Sequence, residues 1–288
     1  MEIKEQILKM VQKKESDLPT LSGVIDRIVS AASDDKTTTK DLAEIISYDQ
    51  GMSNQLLKLA NSVYYAQQKD VETIKRAITV IGFDEIIGIA LAIGILSSFS
   101  DKSGLRLDMK ALCLHGIGVA IVSKELAKRT NPEIANKIFV PALLHDLGKV
   151  MLSIYFRDDY RKVRQFAIDK NKTLYFAESA ILKLDHAILS ALLMKRWNFP
   201  QSIVIPCRFH HNPESAPIKF RQQSLIINLA DYLTQKAQIG HSCNPVAVTV
   251  KNSIKKIGVN ETELKLLIDQ IRGKESEIKE FFNIITQA

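Results

Sequence analysis

Apolar residues recur at spacings of three and four along nearly the whole chain, and strict alternation between apolar and polar residues over a strand length is hard to find. That period matches the α-helical turn and not the two-residue repeat of a half-buried strand, so it predicts an all-α fold of many packed helices. The longest uncharged run, Ile86 to Ser100, has fifteen residues. As a helix it covers about 22 Å, short of the ~30 Å hydrocarbon core of a bilayer. Its apolar residues continue around every face, which predicts an interior helix rather than a membrane span. The opening stretch MEIKEQILKMVQKKE mixes acidic and basic residues and has no apolar h-region. Residence in the cytoplasm, with no membrane partner, is the resulting expectation. Three cysteines, Cys113, Cys207 and Cys243, form an odd set without a C-x-x-C pair, which fits a reducing compartment rather than a disulfide framework.

At 288 residues the chain is long enough for two domains or for one large domain with an extension. The first helix runs to about Lys14 and is broken at Asp17-Leu18-Pro19. Helices follow at Leu21 to Ala32, from Thr38 with Thr38 and Asp41 spaced as a capping box, at Gln50 to Asn61, and at Thr73 to Ile81 with Gly82 as a left-handed stop. Asp84 is placed to cap the apolar helix ending near Ser98. The polar segment Asp101 to Arg106, with Gly104, is the expected boundary between two lobes. Beyond it helices are predicted at Met109 to Arg129, Pro132 to His145, Lys149 to Tyr155, Asp158 to Lys170, Thr173 to Lys183, His186 to Trp197, Pro200 to Phe209 and Arg221 to Gln238, with two or three more to the end. Pro132 and Pro200 stand where a first turn tolerates proline. The expected division is an N-terminal helix (1–17), an N-terminal lobe (18–105), a second lobe carrying the chemistry (106–239) and a C-terminal helical extension (240–288).

The net charge of +7 is uneven: residues 1–150 carry 19 basic and 19 acidic side chains, residues 151–288 carry 20 and 13. A basic half can meet phosphates or nucleic acid. With one Trp and no helix-turn-helix, zinc-finger or RNA-binding signature, a solvated face explains the asymmetry better and nucleic acid is the least supported partner.

Five of the six histidines fall between positions 115 and 211: His115, His145, His186, His210 and His211. His145 and Asp146 form a doublet at the turn expected between a helix ending at Leu143-Leu144 and a break at Gly148, with Lys149 in reach of an anion. His210 and His211 end a helix before Asn212-Pro213, and Asp231 stands in the apolar run Ile226 to Leu233. A carboxylate in such a run is costly unless paired or metal-bound. Imidazoles and carboxylates projected inward from several helices are how a helical protein holds a divalent cation. The expected metal set is therefore His115, His145, Asp146, His186, His210, His211 and Asp231. A mixed thiolate site through Cys207-x-x-His210 or Cys113-x-His115 is a weaker alternative, since buried cysteine is usually apolar packing.

The order His115, then Leu143-Leu144-His145-Asp146-Leu147-Gly148-Lys149, then a distant Asp231, resembles the HD superfamily of metal-dependent phosphohydrolases. With His186 and His210-His211 added, the order is similar to the two-metal branch that includes the HD-GYP phosphodiesterases. The first half narrows this. Leu18-Pro19-Thr20-Leu21, Leu42 to Asp49, Leu56 to Tyr65 and Ile74 to Gly82 resemble the HDOD domain, the HD-related output domain of bacterial signalling proteins, over about Leu18 to Ile239. The resemblance implies an all-helical HD-like fold, one or two divalent cations (iron, manganese, zinc, magnesium or nickel), and a regulatory role with a signalling protein or a small phosphate-containing ligand as partner. No Gly-Tyr-Pro element follows His211 and residue 111 is Ala111 rather than a glutamate, which argues against cyclic di-GMP hydrolysis and against support for a third metal there.

Two functions follow as expectations. One is a signal-transduction output domain whose cluster fixes the helices or binds a small anion. The alternative is a metal-dependent phosphohydrolase acting on a nucleotide or other phosphoester, with Asp146 bridging the metals and Lys149 neutralising phosphoryl oxygens. Arg161, Lys162, Arg164, Lys195, Arg196 and Arg208 are then candidate phosphate contacts, with a solvated surface an equal explanation for them.

Overall fold

The computed structural model describes residues 3–13, 23–34, 36–65, 70–100, 109–247 and 250–286. The expected break at Pro19, the Leu18-Pro19-Thr20-Leu21 motif and the polar boundary Asp101 to Arg106 lie outside these residues. Among the described residues there is no strand, as the periodicity predicts.

The N-terminal half places α1 (Ile3–Gln12), α2 (Gly23–Ser33), α3 (Thr39–Ser47), α4 (Gln50–Ala60), α5 (Ile74–Ile81) and α6 (Phe83–Ser100) in sequence. Short polar caps fix the starts. Thr38 and Asp41 form the reciprocal capping box of α3, Asp49 caps α4 through the Met52 amide, and Thr73 caps α5 through that of Arg76. Two local expectations are corrected. Gly82 does have a positive φ of 102°, but its ψ of 148° is extended rather than left-handed helical. α6 starts directly after it, so Asp84 lies inside the first turn and does not cap. From Ile86 to Ile95 α6 is buried on nearly every side, packed against α2, α4, α5, α9 and α18.

The second half comprises α7 (Met109–Thr130), α8 (Pro132–Ala135), α9 (Phe139–Leu143), α10 (Leu147–Tyr155), α11 (Arg157–Asp169), α12 (Leu174–Leu182), α13 (His186–Arg196), α14 (Gln201–Phe209), a 3-10 turn (Pro213–Ser215), α15 (Ile218–Ala237), α16 (Lys251–Ile257), α17 (Glu261–Gly273) and α18 (Glu275–Thr286). The single helix expected from Pro132 to His145 is two, because the chain turns at Asn136 before Ile138 and Phe139 enter the core. Pro200 is the N-cap of α14 and not its first helical residue, whereas Pro132 does open α8. Gly148 does not break a helix. It lies in the first turn of α10, where an added Cβ would stand 2.1 Å from the His186 carbonyl oxygen. Only glycine lets α10 approach the start of α13 this closely. α7 and α15 pack along each other and carry the apolar core through the second half.

α18 returns to the first half. It packs on α4, α6 and α7, sets Phe281 edge-on to Tyr64, and receives a hydrogen bond of 3.2 Å from Gln55 Nε2 at the Ile285 carbonyl.

Candidate metal centre

Five elements deliver the histidines and aspartates to one place. His115 comes from the middle of α7, His145 and Asp146 from the turn between α9 and α10, His186 from the first residue of α13, His210 and His211 from the end of α14, and Asp231 from α15. His115, His145, His186 and His210 are fully buried, Asp146 and Asp231 nearly so, and His211 is partly exposed.

The local backbone sets the imidazoles. The last carbonyls of a helix lack an intrahelical N–H partner, and two of them are used here. His145 Nδ1 donates to the Ala142 carbonyl at 2.7 Å, and His210 Nδ1 donates to the Cys207 carbonyl at 2.7 Å. Each histidine thus bonds the carbonyl three residues behind it and leaves Nε2 for the cavity. His186 is held likewise by a carboxylate: Glu178 Oε2 lies 2.5 Å from its Nδ1 and accepts its backbone amide at 2.8 Å. Tyr160 donates to the other Glu178 oxygen at 3.2 Å. Committing one ring nitrogen to an oxygen fixes the tautomer and aims the other; histidine ligands of metals are held in this manner.

The free ends converge. One ligand atom from each of His186, His210 and His211 lies within 4.8 Å of the others, and the same holds for His115, His145 and Asp146. The two groups adjoin, with His145 and His210 ring centroids 4.9 Å apart. Asp146 stands between them, Oδ2 3.3 Å from His145 Nε2 and Oδ1 3.2 Å from His186 Nε2. His211 Nε2 is 2.8 Å from His186 Nε2, and His115 Nε2 is 2.9 Å from Asp231 Oδ1.

Buried polar atoms without a hydrogen bond mark the centre. They include His115 Nδ1, His145 Nε2, Asp146 Oδ1, His210 Nε2 and His211 Nδ1. Leaving such an atom unsatisfied costs about 1–3 kcal/mol, so a group that accepts several lone pairs at once fits here. Nitrogen and oxygen donors from several helices, with oriented imidazoles, suit a divalent cation of the zinc, iron or manganese kind. Neither group includes a cysteine among the described residues. Burial pushes the Cys207 thiol pKa upward, and its Sγ lies 3.1 Å from the Pro141 carbonyl.

Electrostatics divides the set in two. Burial opposes the charge on His145 and His186, but neighbouring carboxylates outweigh it: Asp146 raises His145, and Glu178 raises His186 to about 9. Burial, reinforced by the other imidazoles, holds His210 and His211 well below the ordinary histidine range. Burial works against ionised Asp146 and Asp231 as well. His145 and Lys149 keep Asp146 well below the usual carboxylate range, and the His115 hydrogen bond brings Asp231 to about 2.

Three sequence expectations change in the structure. The Lys149 ammonium is buried, donating to Asp146 Oδ2 at 2.7 Å and to the Ser242 carbonyl at 3.0 Å, so it does not reach toward an external anion. Arg196 donates from Nη1 to the carbonyls of Val11 and Lys13 at 2.8 and 2.7 Å and closes the end of α1. Arg161 and Lys162 pair with Asp158 and Asp159 on the outer face of α11. The sequence reading missed Glu178. Its signal was present, since it is the lone charge in the helix LYFAESAIL, the same argument that singled out Asp231. Ser190 was also missed. It joins α13 to the His145 turn, accepting from the Gly148 amide at 2.7 Å and donating to the His145 carbonyl at 3.3 Å.

Comparison with known proteins gives the fold a family. The HDOD domain model matches residues 18–213. A crystal structure of an HDOD domain protein of unknown function from Geobacter sulfurreducens superposes with a TM-score of 0.79 at 22% identity, covering 99% of this chain and 98% of that one. A candidate phosphohydrolase from Shewanella amazonensis SB2B gives 0.75 at 20% identity over 97% and 98% of the two chains. An uncharacterized protein of Treponema pallidum (strain Nichols) is 25% identical over 229 residues, 77% of this chain. The chain spans 43% of that curated relative's length. The match across most of the chain, with an all-helical structure in agreement, makes this protein a member of the HDOD domain family.

Proposed function

We propose that the chain is a signal-transduction output module whose conformation is fixed by a divalent cation held among His115, His145, Asp146, His186, His210, His211 and Asp231. The observation that carries the reading is the set of buried ligand atoms without hydrogen bonds, enclosed by helices from both ends of the second half. A bound cation would give the orphaned imidazole nitrogens and Asp146 Oδ1 a shared partner and join α7, α10, α13, α14 and α15 at one point. With neutral imidazoles, the carboxylates of Asp146, Glu178 and Asp231 exceed the Lys149 ammonium by two charges, which one divalent cation balances. Two cations would need an additional anion between them. Any ligand or partner that prefers one packing of these helices shifts the population toward it.

Phosphoester hydrolysis is the second reading, favoured by the one partly exposed ligand. His211 meets solvent beside Tyr175, whose ring centroid is 4.6 Å from its own and whose hydroxyl pKa burial raises, with Arg208 opposing the rise. In that reading the metal would activate water at neutral pH, Asp146 would orient it and Lys149 would hold Asp146 ionised. Neighbours in structure called candidate phosphohydrolases and a candidate signal transduction protein are compatible with either reading.

Metal analysis of untagged protein separates the two. One equivalent of metal, lost in His145→Ala and Asp146→Ala, without turnover of cyclic dinucleotides, nucleotides or generic phosphodiesters is the expected result. Turnover that disappears in both variants would establish the enzyme. Absence of metal after reconstitution would sink both readings.

A further inference from the structure

The chain leaving α15 crosses the ligand-bearing helices as a strap before it reaches α16, and its backbone is tightly bent. Gln238, Gly240 and Cys243 take φ of 61°, 60° and 64°. At Gly240 the strap lies directly on α7: an added Cβ would stand 2.3 Å from the Ala111 carbonyl oxygen and 2.3 Å from the His115 amide nitrogen, so the position requires glycine. The His241 amide then donates to the Ala111 carbonyl at 2.9 Å. Ser242 and Asn244 are buried. The Ser242 carbonyl accepts the Lys149 ammonium at 3.0 Å, and Asn244 Oδ1 accepts the Leu174 amide at 2.8 Å.

Each of these contacts lands on a part of the molecule that holds a ligand group. α7 carries His115, Lys149 holds Asp146 Oδ2 at 2.7 Å, and α12 carries Glu178, whose carboxylate holds His186. Of the three, the Asn244 contact is the one made by a strap side chain, so substitution can remove it and restore it. Leu174 is the first residue of α12, and the first N–H groups of a helix have no intrahelical partner. Thr173 caps α12 at the Phe176 amide, which leaves the Leu174 amide to Asn244. Glu178 follows four residues on, one turn along the same face, and both residues are fully buried. A metal centre tolerates little displacement: its ligand distances hold to within about 0.2 Å, and losing the partner of a ligating histidine costs about 10–100-fold in affinity. Where α12 is fixed therefore decides how Glu178 meets His186.

We propose that Asn244 is a positioning residue of the metal centre: its Oδ1, on an amide 70 positions away in sequence, fixes the start of α12 and so seats Glu178 against His186. It acts through α12 and not as a ligand. The role rests on the metal reading above.

The experiment compares the full chain with Asn244→Ala, which removes the acceptor, and with Asn244→Asp, which keeps an oxygen for the amide at a helix N-terminus, where a carboxylate is favoured. In chelator, hydrogen-exchange NMR should show the Leu174 amide exchanging about tenfold faster in Asn244→Ala and at the parent rate in Asn244→Asp. Zinc affinity, measured by competition with a chromophoric chelator, should fall about tenfold in the alanine variant and return in the aspartate variant. At saturating cobalt(II) the visible absorption bands, which report coordination geometry, should shift in Asn244→Ala; a mere loss of stability would leave them in place. Gln55→Ala, which removes the hydrogen bond to the Ile285 carbonyl, is the control. It should lower the unfolding midpoint while zinc affinity and the cobalt bands stay as they were. Asn244→Ser, too short to reach the amide, carries the same expectations as Asn244→Ala should that variant not fold. Zinc affinity and cobalt bands unchanged in Asn244→Ala, or an equal change in Gln55→Ala, would overturn the positioning role and leave the metal reading standing. No zinc bound by the unmodified chain would refute the metal reading and the positioning role with it.

Discussion

Each of three imidazoles in the centre is tethered by Nδ1 with Nε2 turned inward, where that of His186 meets His211 Nε2 and Asp146 Oδ1, and the tethers differ in kind. Carbonyls hold His145 and His210, whereas a buried carboxylate holds His186. Glu178 is thus the tether that substitution can remove without touching the backbone. Glu178→Gln keeps an oxygen for the His186 amide but loses the charge. Metal affinity is expected to fall about 10–100-fold in competition with a chromophoric chelator. The His186 pKa in metal-free protein should drop from about 9 toward 6.5 when followed by NMR; an unchanged His186 titration would contradict this assignment. The seven residues expected as metal ligands stand out in the sequence by type and place, and the structure gathers six of them in two groups with Asp231 paired to His115, but their supporting partners do not stand out. That Lys149 turns inward to Asp146, and that Tyr160 and Ser190 support the cluster, depends on contacts between positions up to 93 residues apart. No local pattern encodes these.

Helix existence follows from apolar period and caps, which is why α3, α7, α12 and α13 agree with the sequence to within a residue or two. The errors arise where packing competes with local preference. The Pro132 to His145 region reads as one helix by period, yet Phe139 and Ile138 are needed in the core and the chain bends to place them. Gly148 reads as a breaker, yet it serves the contact between α10 and α13. Arg196 shows the same competition for a side chain: its charge suggests a phosphate contact, and the structure uses it to terminate α1, far away in sequence. Hydrogen bonds to a charged donor are worth about 1.5–3 kcal/mol. Arg196→Ala should therefore speed amide exchange in α1 by roughly tenfold to a hundredfold, read by hydrogen-exchange mass spectrometry, while exchange in α7 and α15 stays as it was. Equal protection of α1 in both proteins would remove Arg196 from this role.

Across the molecule the buried charges give the metal-free protein a defined response to pH. His210 and His211 have lowered folded pKa values, so they stay neutral in the fold while the unfolded chain takes up protons below about 6.5. Their contribution is present above that pH and is lost as pH falls. His145 and His186 are raised, the latter to about 9, so their contribution is present below 6.5 and is lost as pH climbs toward 9. Thermal unfolding in chelator should accordingly peak near pH 6.5 and decline on either side. Zinc, by displacing protons from His145 and His186, should lift the alkaline limb. A monotonic profile across that range would contradict the assignment of two raised and two lowered imidazoles.

The hydrogen bond from Gln55 to the Ile285 carbonyl joins residues 230 positions apart, and its consequence is temporal. During synthesis the chain emerges from its N-terminal end, so α4 and α6 are made long before α18 exists to lie on them. Their uncovered apolar flank waits until α18 has cleared the ribosome, and a message truncated just short of α18 should yield a nascent product that chaperones retain.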